Sequence, residues 1–121
     1  MAEALPPTIP HVAAAAARRW PDAVALIEGG QSWTFAALWD DCRAAASALL
    51  ARGVGTGDRI AIWAPNSRQW VIAAIAAQSC GAAIVPLNTR LKGREAGDIL
   101  HRFDQVHAAR RLPHGALYLG M

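Results

Sequence analysis

The stretch Cys80-Gly81-Ala82-Ala83-Ile84-Val85-Pro86-Leu87-Asn88 decides the fold. It reads as a short buried strand, Ala82 to Leu87, that runs straight into a turn, and its first seven residues carry no polar group except the thiol. A strand apolar on both faces needs cover on both faces, which a parallel crossover unit supplies and a solvent-facing hairpin does not. The residues just upstream complete such a unit. Arg59-Ile60-Ala61-Ile62-Trp63 is a second strand, Pro65 and Asn66 break it, and Ser67 caps a helix carrying Trp70, Val71, Ala74, Ile75 and Ala77. Gly81 closes that helix. Downstream, Thr89 or Arg90 begins a turn, and another helix runs through Glu95, Ile99 and Leu100. Strand, helix, strand, helix in this order predicts a right-handed crossover with a parallel strand pair.

Working towards the N-terminus, Leu38, Cys42, Ala45, Ala46, Leu49 and Leu50 recur at spacings of three and four, while Asp40, Asp41 and Arg43 fall outside the stripe. That is an amphipathic helix from about Phe35 to Arg52, capped by Thr34 and stopped by Gly53. Before it, Ala23 to Ile27 and Ser32 to Phe35 flank the turn Glu28-Gly29-Gly30-Gln31 and form a hairpin. Thr8 caps a first helix that ends near Trp20-Pro21. The fold class is therefore α/β: an N-terminal hairpin, then crossover layers with a short parallel sheet sandwiched by helices at 35–52, 67–80 and 92–103. Residues 1–7 are expected to be loose, 8–103 to fold as one piece, and 104–121 to form an irregular basic tail.

Composition agrees with one domain. A chain of 121 residues buries roughly two-thirds of its unfolded surface. Alanine supplies 28 of those residues, so tight packing falls to Leu, Ile, Val and five tryptophans. From Arg90 onward there are six basic residues against three acids, which accounts for the whole net charge of +3. A solvated helix face and tail explains that excess better than nucleic-acid binding. Cys42 and Cys80 lie within apolar patterns without a CxxC partner and read as buried reduced thiols of a cytoplasmic protein. No signal peptide is visible, and the run Trp70 to Val85 is too interrupted to span a membrane.

Few residues offer chemistry. Gly53-Val54-Gly55-Thr56-Gly57-Asp58 has the glycines of a phosphate loop, but such a loop follows a strand and opens a helix. Here the helix precedes and the strand follows, so the segment is a helix stop and turn, with Gly53 and Gly55 free to take positive φ. His101, His107 and His114 are six and seven apart, unsuited to shared ligation on a helix, and His11 stands alone. Glu95 and Asp98 sit between Arg94 and Arg102, where solvated ion pairs account for them. The tryptophans are spread over separate elements and suit packing better than base stacking. No catalytic, cofactor-binding or metal residue is assigned.

Taken in order, Thr34-Phe35-Ala36-Ala37-Leu38, Ala48-Leu49-Leu50, Gly53-Val54, Gly57-Asp58-Arg59-Ile60-Ala61-Ile62, Pro65-Asn66-Ser67, Trp70, Gly81-Ala82, Val85-Pro86-Leu87-Asn88, Arg90-Leu91, Glu95 and Ile99-Leu100 resemble the start of the adenylate-forming superfamily. That superfamily includes acyl-CoA synthetases, peptide-synthetase adenylation domains and luciferase. The wording VPLNTRL is most similar to fatty-acyl and related CoA ligases. The resemblance covers about Ile9 to Leu100 and implies an incomplete piece of the family's large N-terminal domain. It also implies a two-step reaction in which ATP and a carboxylate give an acyl-adenylate and a thiol such as CoA takes the acyl group, with Mg²⁺ assisting. The family's Ser/Thr/Gly-rich loop ending in Lys, its ribose-binding Asp and its late lysine match nothing in this sequence. The single lysine, Lys92, sits at a helix start and receives no role. The expectation is a truncated or frame-disrupted ligase product, inactive alone, with ATP, Mg²⁺ and CoA belonging to the full-length family. The alternative is a non-catalytic interaction module that uses the same fold and self-associates through an exposed sheet edge.

Overall fold

A computed structural model describes residues 8–106 and 117–120. In chain order the elements are helix α1 Ile9–Arg19, strands β1 Val24–Glu28 and β2 Gln31–Thr34, helix α2 Phe35–Ala51, strand β3 Arg59–Trp63, helix α3 Arg68–Ser79, strand β4 Ala83–Pro86, helix α4 Gly93–Val106 and strand β5 Leu117–Gly120. Hydroxyl side chains start three of the helices. Thr8 accepts from the His11 N–H, Thr34 from the Ala37 N–H at 3.1 Å and Ser67 from the Trp70 N–H at 3.2 Å, each satisfying a first-turn amide.

The central layer is a three-stranded parallel sheet in the order β4-β3-β5. Alternation along β3 assigns its side chains to two clusters. Ile60 and Ile62, both fully buried, meet Ala46 and Leu49 of α2 and Ala73, Ala76 and Ala77 of α3. Ala61 instead joins Val85, Leu87, Ala96 and Ile99, the last two from α4. The strand pair therefore has the cover on both sides that its apolar sequence requires. Four buried alanines on α3 (Ala73, Ala74, Ala76 and Ala77) have too little bulk to hold that helix away from the sheet. Each fully buried isoleucine of β3 contributes about 1.5–3 kcal/mol.

A third cluster, Leu38, Cys42 and Ile75, gathers Ala13, Leu26, Trp39 and Val71 and fastens α1 and the hairpin to the helical layer. The hairpin turns through Gly29 and Gly30 at φ 57° and 78°, the two positive values a tight primed turn needs.

Three expectations change. Within the Gly53–Asp58 loop, positive φ falls at Gly53 and Gly57 and not at Gly55, whose N–H donates to the Asp58 carboxylate at 2.7 Å. The last helix runs on to Val106 instead of ending at 103. Leu117–Gly120, placed within an irregular tail by the sequence, is a strand paired in parallel with β3, Ile60 opposite Leu117 and Trp63 opposite Gly120. The expected loose segment 1–7 and the rest of the tail, 107–116 and 121, lie outside the described residues.

Candidate functional site

Open parallel sheets take their ligands beyond the carboxyl ends of the strands. At that edge β3 runs into Ala64-Pro65-Asn66 and β4 into Leu87-Asn88-Thr89. The Leu87 N–H donates to the Ile62 carbonyl at 2.9 Å, and the Trp63 indole N–H donates to the Asn88 carbonyl at 3.2 Å, which ties the two exits together. The Asn88 side chain accepts from the Arg90 N–H at 2.9 Å and its carbonyl accepts from the Leu91 N–H at 3.0 Å. Asn88 is thus occupied in building the turn into α4.

Arg68, at the first turn of α3, joins three elements. Its guanidinium donates to the Asp41 carboxylate at 2.9 Å and lies over the Trp33 ring, 4.5 Å from the centroid. Its backbone N–H donates to the Glu28 carboxylate at 3.1 Å, so an acidic side chain of the hairpin already sits at the positive end of α3. The sequence placed Trp33 in packing and Glu28 in a turn. The contact to Arg68 links residues 27 to 40 positions apart, which no local pattern signals.

At the opposite edge, the Gly53–Asp58 loop closes on itself. Besides the Gly55 contact, the Asp58 N–H donates to the Gly55 carbonyl at 3.1 Å, and the carboxylate is nearly buried, 9% exposed. An open depression of about 480 Å³ lies beside this loop, lined in part by Thr8, His11, Trp39, Thr56, Gln78 and Ser79. Its polar groups are engaged locally: His11 Nδ1 shares a hydrogen bond with the Thr8 hydroxyl, and the Ser79 hydroxyl donates to the Ile75 carbonyl at 2.7 Å.

The candidate nucleophiles are inert. Burial, with the Asp41 charge second, pushes the Cys42 thiol up to about 11, and burial also raises Cys80, whose Sγ donates to the Ala46 carbonyl at 3.5 Å. Both thiols hold their protons at neutral pH and lie away from solvent. Lys92 is exposed, and its backbone N–H donates to the Glu95 carboxylate at 3.4 Å, a capping contact for α4. His11 and His101 are exposed; His107 and His114 lie outside the described residues. Among the described residues no three His, Cys, Asp or Glu side chains gather closely enough to hold a metal ion. Asp41, Asp58, Glu28 and Glu95 each accept a hydrogen bond from the chain itself. That donor set does not fit Mg²⁺ or a triphosphate. Among the same residues no helix is long and apolar enough to cross a membrane.

The sequence pattern of the AMP-binding enzymes matches residues 13–107. A 3-[(3aS,4S,7aS)-7a-methyl-1,5-dioxo-octahydro-1H-inden-4-yl]propanoyl:CoA ligase of Mycobacterium tuberculosis is 46% identical over 95 residues, 78% of this chain and 19% of the ligase. The N-terminal subdomain of Klebsiella oxytoca NpsA, solved with anthranilyl-AMSN, superposes with a TM-score of 0.75 at 30% identity, covering 85% of this chain and 26% of that one. The o-succinylbenzoate CoA synthetase of Bacillus subtilis, solved with its acyl-adenylate intermediate, gives 0.71 at 34% identity over 74% of this chain and 23% of the synthetase. The chain spans about a fifth of the length of the curated ligases it matches.

Proposed function

Since the chain belongs to the AMP-binding enzyme family, we propose that its residues form the N-terminal scaffold layers of an AMP-dependent acyl-CoA ligase. The carboxylate is of the fatty-acid type, the compartment is the cytoplasm, and the 121 residues do not catalyse adenylation by themselves. In the whole ligase the carboxylate is activated as an acyl-adenylate and passed to CoA. One observation carries this reading. The crossover β3-α3-β4-α4 folds as an adenylate-forming scaffold does, and the same stretch is 46% identical to a CoA ligase. Support for inactivity comes from the side chains: the acids are committed to the chain's own amides and to Arg68, both thiols are protonated, and the lone lysine is exposed.

The test is a chimera. Residues 13–107 replace the matching segment of the Mycobacterium tuberculosis ligase, and thioester formation is measured with that enzyme's own carboxylate. A scaffold role predicts activity within about tenfold of the parent, equivalent to no more than about 1.4 kcal/mol at the transition state. A chimera that melts at the parental temperature yet forms no thioester would refute the assignment. The second reading, a non-catalytic interaction module, draws on the unpaired backbone at the edges of the sheet.

A further inference from the structure

The two outer edges of the β4-β3-β5 sheet differ in backbone chemistry. In a parallel ladder, alternate residues of an edge strand direct N–H and C=O to the neighbour, and the residues between direct theirs outward. The Ala83 N–H donates to the Asp58 carbonyl at 2.8 Å and the Leu87 N–H to the Ile62 carbonyl at 2.9 Å, so odd-numbered residues of β4 face β3. Ile84 and residue 86 therefore face outward, and residue 86 is proline. One of the two outward donors of β4 does not exist, a device that natural sheets use to close an edge.

On the other side the same parity leaves the edge intact. Even residues of β3 point to β4, so Arg59, Ala61 and Trp63 point to β5. The register Ala61↔Tyr118 then turns Leu117 and Leu119 towards β3 and leaves the backbones of Tyr118 and Gly120 facing outward. Leu117-Tyr118-Leu119-Gly120 contains no proline and no charge, the two features that discourage strand addition.

We propose that the 121-residue chain forms a two-fold dimer in which β5 pairs antiparallel with β5 of a second copy, while the β4 edge stays unpaired. A two-fold axis makes the contact self-complementary and places the two strands antiparallel. Outward residues must oppose outward residues, so Tyr118 of each copy faces Gly120 of the other. Each of the two pairs exchanges two N–H···O=C bonds, and the two three-stranded sheets become one of six strands. The inference rests on backbone geometry alone and stands independently of the ligase assignment.

Sedimentation velocity and amide hydrogen exchange on the purified full chain test it. The expected mass at high concentration is twice 12.8 kDa, falling to the monomer on dilution. Tyr118→Pro deletes an outward donor and is expected to sediment as monomer throughout. Because that substitution can also displace β5, exchange of the unaltered chain provides a separate arm. Tyr118 and Gly120 amides gain protection with concentration, by about tenfold or more as the dimer fills, whereas the Ile84 amide exchanges rapidly at every concentration. A chain that remains monomeric when concentrated overturns the proposal. So does a dimer whose Tyr118 amide stays unprotected, or one that survives Tyr118→Pro.

Discussion

Gly81→Ala is the substitution that probes the crossover most sharply. Gly81 ends α3 at φ +83°, and a Cβ built there would lie 2.6 Å from Thr56 Oγ1, 3.2 Å from Thr56 Cα and 3.3 Å from Thr56 Cβ. Two costs follow. An alanine in the left-handed region loses about 1–2 kcal/mol. Overpacking against the Gly53–Asp58 loop adds about 1–3 kcal/mol, because the backbone of Thr56 must give as well as its hydroxyl. The total, about 2–5 kcal/mol, is a large part of the roughly 5–15 kcal/mol that stabilises a domain. At about 4 °C per kcal/mol for a chain of this size, the melting temperature should fall by roughly 8–20 °C. Far-UV circular dichroism during thermal and urea unfolding measures it. The two costs separate in a double-mutant cycle. In a Thr56→Gly background the hydroxyl and Cβ are gone, so Gly81→Ala should cost only the conformational part, leaving a coupling of about 1–3 kcal/mol. A loss below about 0.5 kcal/mol, or an equal loss in both backgrounds, would refute the packing of this loop beneath Gly81.

Two further perturbations test the layers. Arg68→Ala removes the ion pair to a half-exposed Asp41, about 0.2–1 kcal/mol, and the stacking on Trp33, about 0.5–1 kcal/mol, so the urea midpoint should correspond to a loss of about 1–2 kcal/mol. Arg68→Lys should recover only part of it, since an ammonium cannot stack as a planar guanidinium does; an Arg68→Ala chain as stable as the parent would remove the clamp from the account. For Cys42 the pH window follows from its raised value. The unfolded thiol ionises near 9.0 while the folded one holds its proton to about 11. Stability is therefore intact below pH 9 and declines as pH rises through 11, by on the order of 2–3 kcal/mol. Cys42→Ala should flatten that slope, and an unchanged slope would show that the thiol is not desolvated in the fold.

Most of the architecture was legible because it is written locally. Three hydroxyl caps, the period-two pattern of Ile60-Ala61-Ile62 and the helix-ending Gly53 and Gly81 each act within a few residues, and all lie where the sequence placed them. The strand β5 escaped because its evidence is non-local. Four residues after a basic, proline-containing segment have no intrinsic reason to be a strand. Their pairing is decided by β3, nearly sixty positions earlier. The misplaced positive φ in the Gly53–Asp58 loop has a similar cause, since the Asp58 carboxylate, not glycine spacing, dictates which residue turns. Arg68 was illegible for the same reason: its partners Glu28, Trp33 and Asp41 come from three different elements. The absence of an assigned active-site residue in the sequence reflects composition, because one lysine and two apolar-flanked cysteines supply little with which to polarise a phosphate.

The most direct measurement is ATP–pyrophosphate exchange by the purified 121-residue chain, with Mg²⁺ and a series of straight-chain carboxylates. Layers that only support a ligase's chemistry should give counts no higher than a protein-free blank for every acid in the series. Carboxylate-dependent label appearing in ATP would mean that these residues activate an acyl group on their own, and the scaffold assignment would fall.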